Sequence, residues 1–296
     1  MIDPIERYEY PEEWIERICP NIIERKELSD KISSGCYILC PDGSFLRRGI
    51  TTGTTASAAV KALSERSESV SVETPVGINV DLKVRLKEEG NIAISKKFSG
   101  DHSFDITRGM EIIAKKVGNR DKKIILGEGV RSVSRSAMDQ MMKNMGNITV
   151  KIEIPEGNER GRKIGRDGIS ILGTTGFVEP WCDKLVYMKR ELSKNYRRVA
   201  ITTGRKGWRW AYDNTNFQPL VFGIHIDEGL SSCKGEVSLI GMPSLIGRWA
   251  GINIKDKKRG EEREDAVKEI YEKASKIAKD LVSVSLIFKD GVVSYG

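Results

Sequence analysis

Histidine and cysteine are both scarce in this sequence, and their scarcity limits the chemistry it can carry. Only His102 and His225 occur among the 296 residues, together with five cysteines, none of which forms a Cys-x-x-Cys pair. A structural zinc site or a histidine-based nucleophile triad is therefore hard to build, and no metal site is expected. The odd number and wide spacing of the cysteines are typical of reduced thiols in a cytoplasmic protein.

Long apolar runs are absent as well. The first residues lack the basic start and apolar stretch of a secretory signal, and no segment approaches the length of a membrane span, so no membrane partner is expected. The 49 Lys and Arg residues exceed the 42 Asp and Glu residues, and the net charge of +7 favours an anionic partner. The basic run at residues 255–259 is followed by Glu261, Glu262 and Glu264. We interpret that run as the solvated start of a helix in preference to a nucleic-acid patch, so nucleic acid is not the favoured partner.

Two patterns of apolar residues divide the chain at about residue 190. Residues 1–190 mix strand-like and helix-like segments behind an N-terminal extension, which predicts an α+β domain. Residues 191–296 carry apolar strands that each end near a glycine, which predicts a smaller α/β domain with a mostly parallel sheet. The predicted strands lie at 70–72, 79–86, 91–95, 123–126, 149–154, 199–203, 218–226, 237–241 and 282–288, and the predicted helices at 56–63, 107–116, 136–144 and 261–279.

A loop rich in threonine and glycine, residues 47–55, leads into the alanine-rich helix of the first domain. Glycine lets a backbone approach a ligand closely, a helix start offers N–H groups to an anion, and arginine pairs with carboxylates. A threonine that only caps a buried helix is the alternative, but the density of threonine and glycine exceeds what a cap requires. The residues predicted to bind an acidic substrate are Arg47, Arg48, Thr51, Thr52, Gly53 and Thr54.

A second loop of similar content spans residues 168–176 and follows a basic segment. A flexible hairpin with solvated charges explains it equally well on local grounds. If the loop binds the same acidic ligand, the residues concerned are Gly173, Thr174, Thr175 and Gly176.

Two further loops follow the strands predicted at 199–203 and 237–241. Each alone is explained by a plain turn. In open α/β sheets, however, ligands bind beyond the carboxyl ends of the strands, so two such loops on neighbouring strands favour a nucleotide-like or S-adenosylmethionine pocket. Trp208 and Trp210 are interpreted as packing residues, although they lie close enough to the loop after the strand at 199–203 to stack on a flat ring of a ligand. The residues predicted for this pocket are Thr202, Thr203, Gly204, Gly207, Asp227, Gly241, Met242 and Pro243.

Acidic residues elsewhere are interpreted more simply. Asp101 and Asp105 flank His102, and although a metal site is the alternative, we expect solvated loop carboxylates. His225 falls within the strand predicted at 218–226 and is interpreted as a core histidine.

Two segments resemble the signature segments of a known family. They are Leu-Arg-Arg-Gly-Ile-Thr-Thr-Gly-Thr-Thr-Ala at 46–56 and Gly-Ile-Ser-Ile-Leu-Gly-Thr-Thr-Gly-Phe-Val-Glu-Pro at 168–180. Both are similar to segments of the CbiD family of anaerobic cobalamin biosynthesis. Weaker similarity lies at 105–109, 127–130 and 237–251.

This resemblance implies a methyltransferase that moves a methyl group from S-adenosylmethionine to carbon 1 of cobalt-precorrin-5B, a carboxylate-rich corrinoid. It also implies an N-terminal domain related to the ribosomal protein S5 domain 2 fold, followed by a C-terminal α/β domain. Methyl transfer to a carbon nucleophile depends on alignment more than on acid–base help, which suits a sequence poor in histidine. Thr55 stands where the family has cysteine, so we assume no thiol mechanism and assign no catalytic residue.

Two other function classes stay open at this point. A small-molecule kinase of the galactokinase–homoserine kinase type shares an S5-like domain, but the loop at 47–55 lacks the Gly-Leu-Gly-Ser-Ser order of those enzymes. An RNA-binding protein is suggested by the positive charge. Stabilisation by S-adenosylhomocysteine and not by ATP with Mg²⁺ would separate the methyltransferase from the kinase, and salt-sensitive binding of nucleic acid would support the RNA-binding protein.

Overall fold

The chain has a mixed α/β fold with two structural units, each built around a five-stranded sheet. The computed structural model describes residues 1–19, 21–254 and 260–296. Across these residues, every helix is too short or too polar to pass through a lipid bilayer. The basic run at residues 255–259, interpreted as the start of a helix, lies outside the described residues.

The two units interleave along the chain. The central unit comprises Lys26–Ile38 and Phe45–Cys182, and the terminal unit comprises Met1–Arg25, Leu39–Ser44 and Asp183–Gly296. This division differs from the predicted one, which placed residues 1–190 together, because the N-terminal segment packs with the C-terminal part of the chain. Its buried Glu6 carboxylate lies 2.6 Å from Lys189 Nζ, which also donates to the carbonyl of Val221 at 2.7 Å. A buried pair between such distant residues leaves no local sequence pattern.

Helices of five to fifteen residues alternate with short strands in the described residues. The helices are α1 (Glu12–Glu16), α2 (Ile22–Ser33), α3 (Thr52–Glu65), α4 (Arg135–Asn144), α5 (Gly157–Arg162), α6 (Asp183–Ser193), α7 (Arg205–Asn214), α8 (Ile226–Ser232), α9 (Pro243–Ala250) and α10 (Glu261–Ser275). The strands are β1 (Tyr37–Leu39), β2 (Phe45–Arg47), β3 (Gly49–Ile50), β4 (Ser69–Glu73), β5 (Asn79–Lys83), β6 (Arg85–Lys87), β7 (Ile92–Lys96), β8 (Glu111–Gly118), β9 (Lys123–Leu126), β10 (Val130–Val133), β11 (Thr149–Glu153), β12 (Ile169–Ile171), β13 (Phe177–Val178), β14 (Arg198–Thr202), β15 (Gln218–Val221), β16 (Glu236–Gly241), β17 (Leu281–Ile287) and β18 (Val292–Tyr295).

Helix α3 forms the centre of the central unit. It packs against α4 and against β7 and β8 of a sheet with the order β6-β7-β8-β11-β9. Its alanines, including Ala58, Ala59 and Ala62, are fully buried. Alanine has a high helix propensity, and its small side chain lets the helix approach the sheet closely. The alanine-rich helix predicted from residue 56 is confirmed, and Thr51 caps its start.

One predicted helix is a strand. Residues 107–116 are predicted to be helical, but β8 occupies most of this segment and pairs antiparallel with β7 on one side and β11 on the other. Ile112 and Ala114 alternate into the core. A short apolar run does not distinguish helix from strand by periodicity, and here backbone pairing on both edges decided the outcome.

The sheet of the terminal unit has the order β15-β14-β16-β17-β18. The three pairings among β15, β14, β16 and β17 are parallel, and β18 joins the edge antiparallel. The strand predicted at 218–226 is shorter than expected, because β15 ends at Val221 and α8 begins at Ile226. Gly223 lies between them with a φ of +63°, a conformation that favours glycine and turns the chain away from the sheet. His225 consequently precedes a helix and is not part of a strand.

Candidate functional site

The two threonine–glycine loops meet at the start of α3 in the central unit. The backbone N–H of Thr51 donates to the carbonyl of Gly176, and that of Gly53 donates to the carbonyl of Leu172, both at 2.9 Å. The Leu172 N–H in turn donates to the hydroxyl of Thr52 at 2.8 Å. Antiparallel pairing of β3 with β13 extends the junction. The two signature segments therefore form a single structural feature.

These contacts correct one expectation about the start of α3. N–H groups at a helix start can bind an anion only when no other acceptor holds them. Here the Gly53 N–H is held by Leu172, and the Thr54 N–H donates to the Thr51 hydroxyl at 3.1 Å. Thr51 therefore caps α3, which was the alternative interpretation of this loop. The second loop occupies the position at the helix start where a ligand was expected.

A cavity of ≈ 500 Å³ opens beside this junction, within the central unit. Four of the ten residues predicted to bind the acidic substrate line it, namely Thr51, Thr52, Gly173 and Thr174. Ser134, Ser170 and Thr107 add further hydroxyl groups, while Leu172, Phe177 and Val178 form an apolar part of the wall. Small-molecule sites have volumes of about 300–1,000 Å³, so this cavity is of a size to hold part of a large metabolite.

Four other predicted loop residues lie behind the cavity wall and support it. The Thr54 hydroxyl donates to the carbonyl of Gly176 at 2.8 Å, and Thr175 is buried in a local turn with Phe177. Gly53 is a close-approach position, since a Cβ there would lie 3.0 Å from that of Ala137. These residues fix the two loops against each other and do not line the cavity.

Arg47 and Arg48 have different environments although they are neighbours. Arg47 is exposed and its guanidinium lies over the ring of Phe98 at 4.4 Å. The Arg48 side chain is buried, and its Nε donates to Glu179 Oε1 at 2.8 Å. Its Nη1 donates to the carbonyl of Gly35 at 3.3 Å. The structure therefore corrects the prediction that the Arg48 guanidinium is available to a substrate carboxylate, and neither arginine lines the cavity.

A buried ion pair forms the charged end of the cavity, and the sequence interpretation missed it. Lys97 Nζ lies 2.9 Å from Asp105 Oδ2, which also accepts from the Ser99 hydroxyl at 2.6 Å. Thr107 donates to Asp105 Oδ1 from its backbone and its hydroxyl, at 2.8 and 2.6 Å. Asp105 is therefore not the solvated loop acid that we expected. The spacing of Asp105 and Thr107 is that of a local Asx turn, a signal that the sequence does carry.

Burial and hydrogen bonding act in opposite directions on this pair. Burial raises the pKa of Asp105, but hydrogen bonds from Ser99, Thr107 and Lys97 outweigh it and hold that pKa well below its usual range. Burial lowers the pKa of Lys97, and the contact with Asp105 partly offsets this effect. The carboxylate is consequently ionised throughout the neutral pH range.

His102 lines the same cavity from the loop between β7 and β8. Its Nδ1 accepts the backbone N–H of Phe104 at 3.2 Å. Burial lowers the pKa of His102, Asp105 raises it, and the positive charges of Lys97 and Arg108 lower it again. The net direction is downward, so the imidazole is neutral at pH 7.

The other predicted pocket residues cluster at the carboxyl edge of the sheet in the terminal unit. Strand order reverses between β14 and β16, the kind of position at which open α/β sheets bind ligands. Thr202 ends β14, Gly241 ends β16, and the close approach of Gly241 to the Thr203 hydroxyl brings the two loops into contact. Gly207 lets α7 approach β16, since a Cβ there would lie 2.8 Å from the carbonyl oxygen of Ile240. Met242 and Pro243 start α9.

Gly204 and Asp227 lie near these strand ends in different surroundings. A Cβ at Gly204 would meet no atom within 4 Å, so open space lies beside it. Asp227 lies in the first turn of α8 and accepts the indole N–H of Trp249 at 2.9 Å. Trp208 is buried and donates to the carbonyl of Glu6 at 3.1 Å, which agrees with its interpretation as a packing residue.

Metal-ligating side chains do not cluster in the described part of the chain. No group of three or more His, Cys, Asp or Glu residues there has the arrangement of a metal site. His225 is partly exposed, and its Nδ1 lies 3.0 Å from Glu228 Oε1.

Comparisons with known proteins agree with the similarity of the two signature segments. The CbiD family model matches residues 40–140, which include the start of α3 and the loop with His102. A protein of Archaeoglobus fulgidus named cobalt-precorrin-5B C(1)-methyltransferase is 43% identical over 287 residues, covering 88% of this chain and 92% of that protein. A protein of Methanosarcina acetivorans with the same name is 36% identical over 283 residues, covering 84% of this chain and 82% of that protein.

A solved structure is similar as well. The crystal structure of a cobalamin biosynthesis protein (CbiD) from Archaeoglobus fulgidus aligns with a TM-score of 0.79 and 41% sequence identity. The alignment covers 93% of this chain and 98% of that chain, so the likeness extends over both structural units.

Proposed function

Because the chain belongs to the CbiD family, we propose that it methylates carbon 1 of cobalt-precorrin-5B and yields cobalt-precorrin-6A. Relatives that are up to 43% identical over most of the chain carry the name of this C(1)-methyltransferase. S-adenosylmethionine is the methyl donor in this proposal. Its sulfonium supplies an electrophilic methyl group, so the protein has to bind, align and shield two ligands and needs little acid–base catalysis.

The cavity beside the start of α3 is the proposed site of the corrinoid. The observation that carries this assignment is the junction of the two signature loops, which holds Thr51, Thr52, Gly173 and Thr174 together in one wall. Hydroxyl groups suit the acidic side chains of the substrate, and the apolar part of the wall suits its ring. A corrin with its side chains is larger than this cavity, so one edge of the macrocycle occupies it.

The carboxyl edge of the sheet in the terminal unit is the proposed site of S-adenosylmethionine. Support comes from the reversal of strand order between β14 and β16 and from the open space beside Gly204. In this proposal the Asp227 carboxylate accepts hydrogen bonds from the ribose hydroxyls. One of its oxygens already accepts the indole N–H of Trp249, which orients the carboxylate. The other predicted residues of this pocket, Gly207 and Gly241 among them, set the close packing of the surrounding loops.

A finer fold assignment accompanies this proposal. We infer that the central unit is related to the ribosomal protein S5 domain 2 fold, which the packing of α3 and α4 beside a largely antiparallel sheet supports. A cytoplasmic location stays a prediction from cysteine usage.

Locating the transferred methyl group tests the proposed reaction. The protein is incubated with cobalt-precorrin-5B and S-adenosylmethionine carrying an isotope-labelled methyl group, and the label is located by NMR. We expect it on carbon 1. Label on another carbon, or no transfer, would contradict the proposal. Thermal unfolding with S-adenosylhomocysteine or with ATP and Mg²⁺ is a control, because a kinase would be stabilised by ATP.

A pair of variants tests the assignment of one ligand to each unit. Gly204→Val adds bulk in open space, on an extended backbone that valine adopts easily, so the fold should persist while S-adenosylhomocysteine binds less tightly. Thr174→Val removes a hydroxyl at nearly constant volume and should weaken only corrinoid binding. Isothermal titration of both ligands with both variants checks this. Equal losses for both ligands in either variant would be inconsistent with the assignment.

A further inference from the structure

His102 differs from the other titratable residues of the cavity in the central unit. Three such side chains line it, and two of them, Lys97 and Asp105, are paired with each other at 2.9 Å. Lys97 Nζ also lies 3.3 Å from the carbonyl of Phe98 and from the Ser99 hydroxyl. Its three N–H groups therefore already have acceptors within the protein, which leaves His102 as the titratable group with capacity for a ligand.

The loop around His102 fixes which ring nitrogen carries the proton. Nδ1 accepts the backbone N–H of Phe104, so it has to be unprotonated in the neutral imidazole. The proton is then on Nε2, which becomes a hydrogen-bond donor. Because Nδ1 is taken up by its own loop, Nε2 is the ring atom left to a molecule in the cavity.

The loop itself is held firmly on both sides. Arg108 donates to the carbonyls of Gly100 and His102, and the backbone N–H of Arg47 donates to Asp101 Oδ2 at 2.7 Å. Asp105, three residues beyond His102, is fixed by its four hydrogen bonds. The imidazole is thus presented to the cavity by a rigid backbone, as a group that recognises a substrate should be.

We infer that His102 is a specificity-determining residue that donates Nε2–H to one carboxylate arm of the tetrapyrrole and so orients the ring edge in the cavity. This inference rests on the proposed function, since it presumes a substrate with acidic side chains. The hydroxyl groups of the cavity can donate or accept, whereas Nε2–H can only donate and therefore favours an acceptor such as a carboxylate.

The division of the effect between KM and kcat separates this role from that of a general base. Burial lowers the pKa of the imidazole, Asp105 raises it, and the charges of Lys97 and Arg108 lower it, so the donor is the neutral ring. Loss of the Nε2–H donor should raise the KM of the corrinoid and leave kcat almost unchanged, because the contact is made equally before and during methyl transfer. Loss of a general base would instead lower kcat.

Two substitutions distinguish the two ring nitrogens. In His102→Asn the amide oxygen can replace Nδ1 as the acceptor for Phe104 while no donor remains at the position of Nε2. In His102→Gln the amide nitrogen lies near the position of Nε2 and keeps a donor. The probe is cobyrinic acid, a stable cobalt corrin with free acid side chains, titrated by its visible absorbance, and kcat and KM are measured with cobalt-precorrin-5B.

We expect His102→Asn to raise the Kd of the corrin and the KM roughly tenfold to a hundredfold, the loss that one hydrogen bond to a charged group implies. His102→Gln should stay within about threefold of the native protein, with kcat and S-adenosylhomocysteine binding little changed in both variants. Unchanged corrin affinity in His102→Asn would overturn the inference, as would a fall in kcat with unchanged KM. Native protein that fails to methylate cobalt-precorrin-5B would instead refute the proposed function itself.

Discussion

Replacing Arg48 with alanine should destabilise the central unit strongly. The Arg48 guanidinium is fully buried, and its Nε lies 2.8 Å from Glu179 Oε1. The other oxygen of Glu179 is buried without a hydrogen-bond partner in the described structure, so this carboxylate depends on the cation beside it. Removing one member of a buried ion pair typically lowers the free energy of unfolding by about 3–5 kcal/mol. We expect a loss of that size.

The same change at Arg47 provides a matched control one residue away. Arg47 is exposed, and its guanidinium contacts the Phe98 ring at 4.4 Å, an interaction that contributes about 0.5–1 kcal/mol at an exposed site. Its backbone N–H donates to Asp101 and is unaffected by the substitution. Arg47→Ala should therefore lower the free energy of unfolding by about 1 kcal/mol at most.

Urea unfolding followed by hydrogen exchange in α3 measures both losses, because a chain with two units need not unfold in a single step. Glu179→Gln should also be destabilising, since it leaves the Arg48 cation buried beside a neutral amide. The double variant Arg48→Met with Glu179→Gln should recover part of the loss, because no buried charge is left unpaired. The reasoning is refuted if Arg48→Ala is as stable as Arg47→Ala and both variants bind the corrin less tightly.

Three further substitutions test other contacts of the structure. Gly173→Ala places a Cβ 2.5 Å from the Thr51 hydroxyl, so it should lower the free energy of unfolding by about 1–3 kcal/mol and weaken corrin binding in titrations. A native free energy of unfolding together with native corrin affinity would show that the two loops adjust to the added methyl group at little cost. Lys189→Met leaves the buried Glu6 carboxylate without its ammonium partner and should lower Tm clearly in calorimetry, whereas an unchanged Tm would mean that the N-terminal segment contributes little. Asp105 has a depressed pKa, so its stabilising effect is present above about pH 4 and is lost as the pH falls further. Asp105→Asn should therefore lose less stability than the native protein between about pH 7 and pH 3 in urea unfolding, and equal losses would contradict this assignment.

Local features of the sequence predicted a substantial part of the fold. The alanine-rich helix behind the Thr51 cap, α4 and the strands at 123–126 and 149–154 all occur where the sequence places them, within a few residues. Helix propensity, capping and alternation depend on residues a few positions apart, so the sequence expresses them directly. The strand β8 was missed because its apolar pattern fits a helix as well, and only pairing with β7 and β11 resolves the ambiguity.

The candidate site shows the same limit. The two signature segments identify the loops that line the cavity, but nothing in the sequence distinguishes Arg47 from Arg48 or pairs Lys97 with Asp105. Burial of a side chain depends on which distant residues surround it, and Glu179 lies far along the chain from the arginine that it holds.

The sequence by itself determined the family, the scarcity of histidine that suits a reaction with little acid–base catalysis, and the loops in which to search for ligands. The tertiary structure alone decided which members of those loops reach a cavity, which are packed behind it, and that the N-terminal segment belongs to the same unit as the C-terminal part of the chain. The physical reason is the distance along the chain over which each effect acts. Helix propensity and capping depend on neighbouring residues, whereas desolvation and ion pairing arise only when folding brings distant charges together.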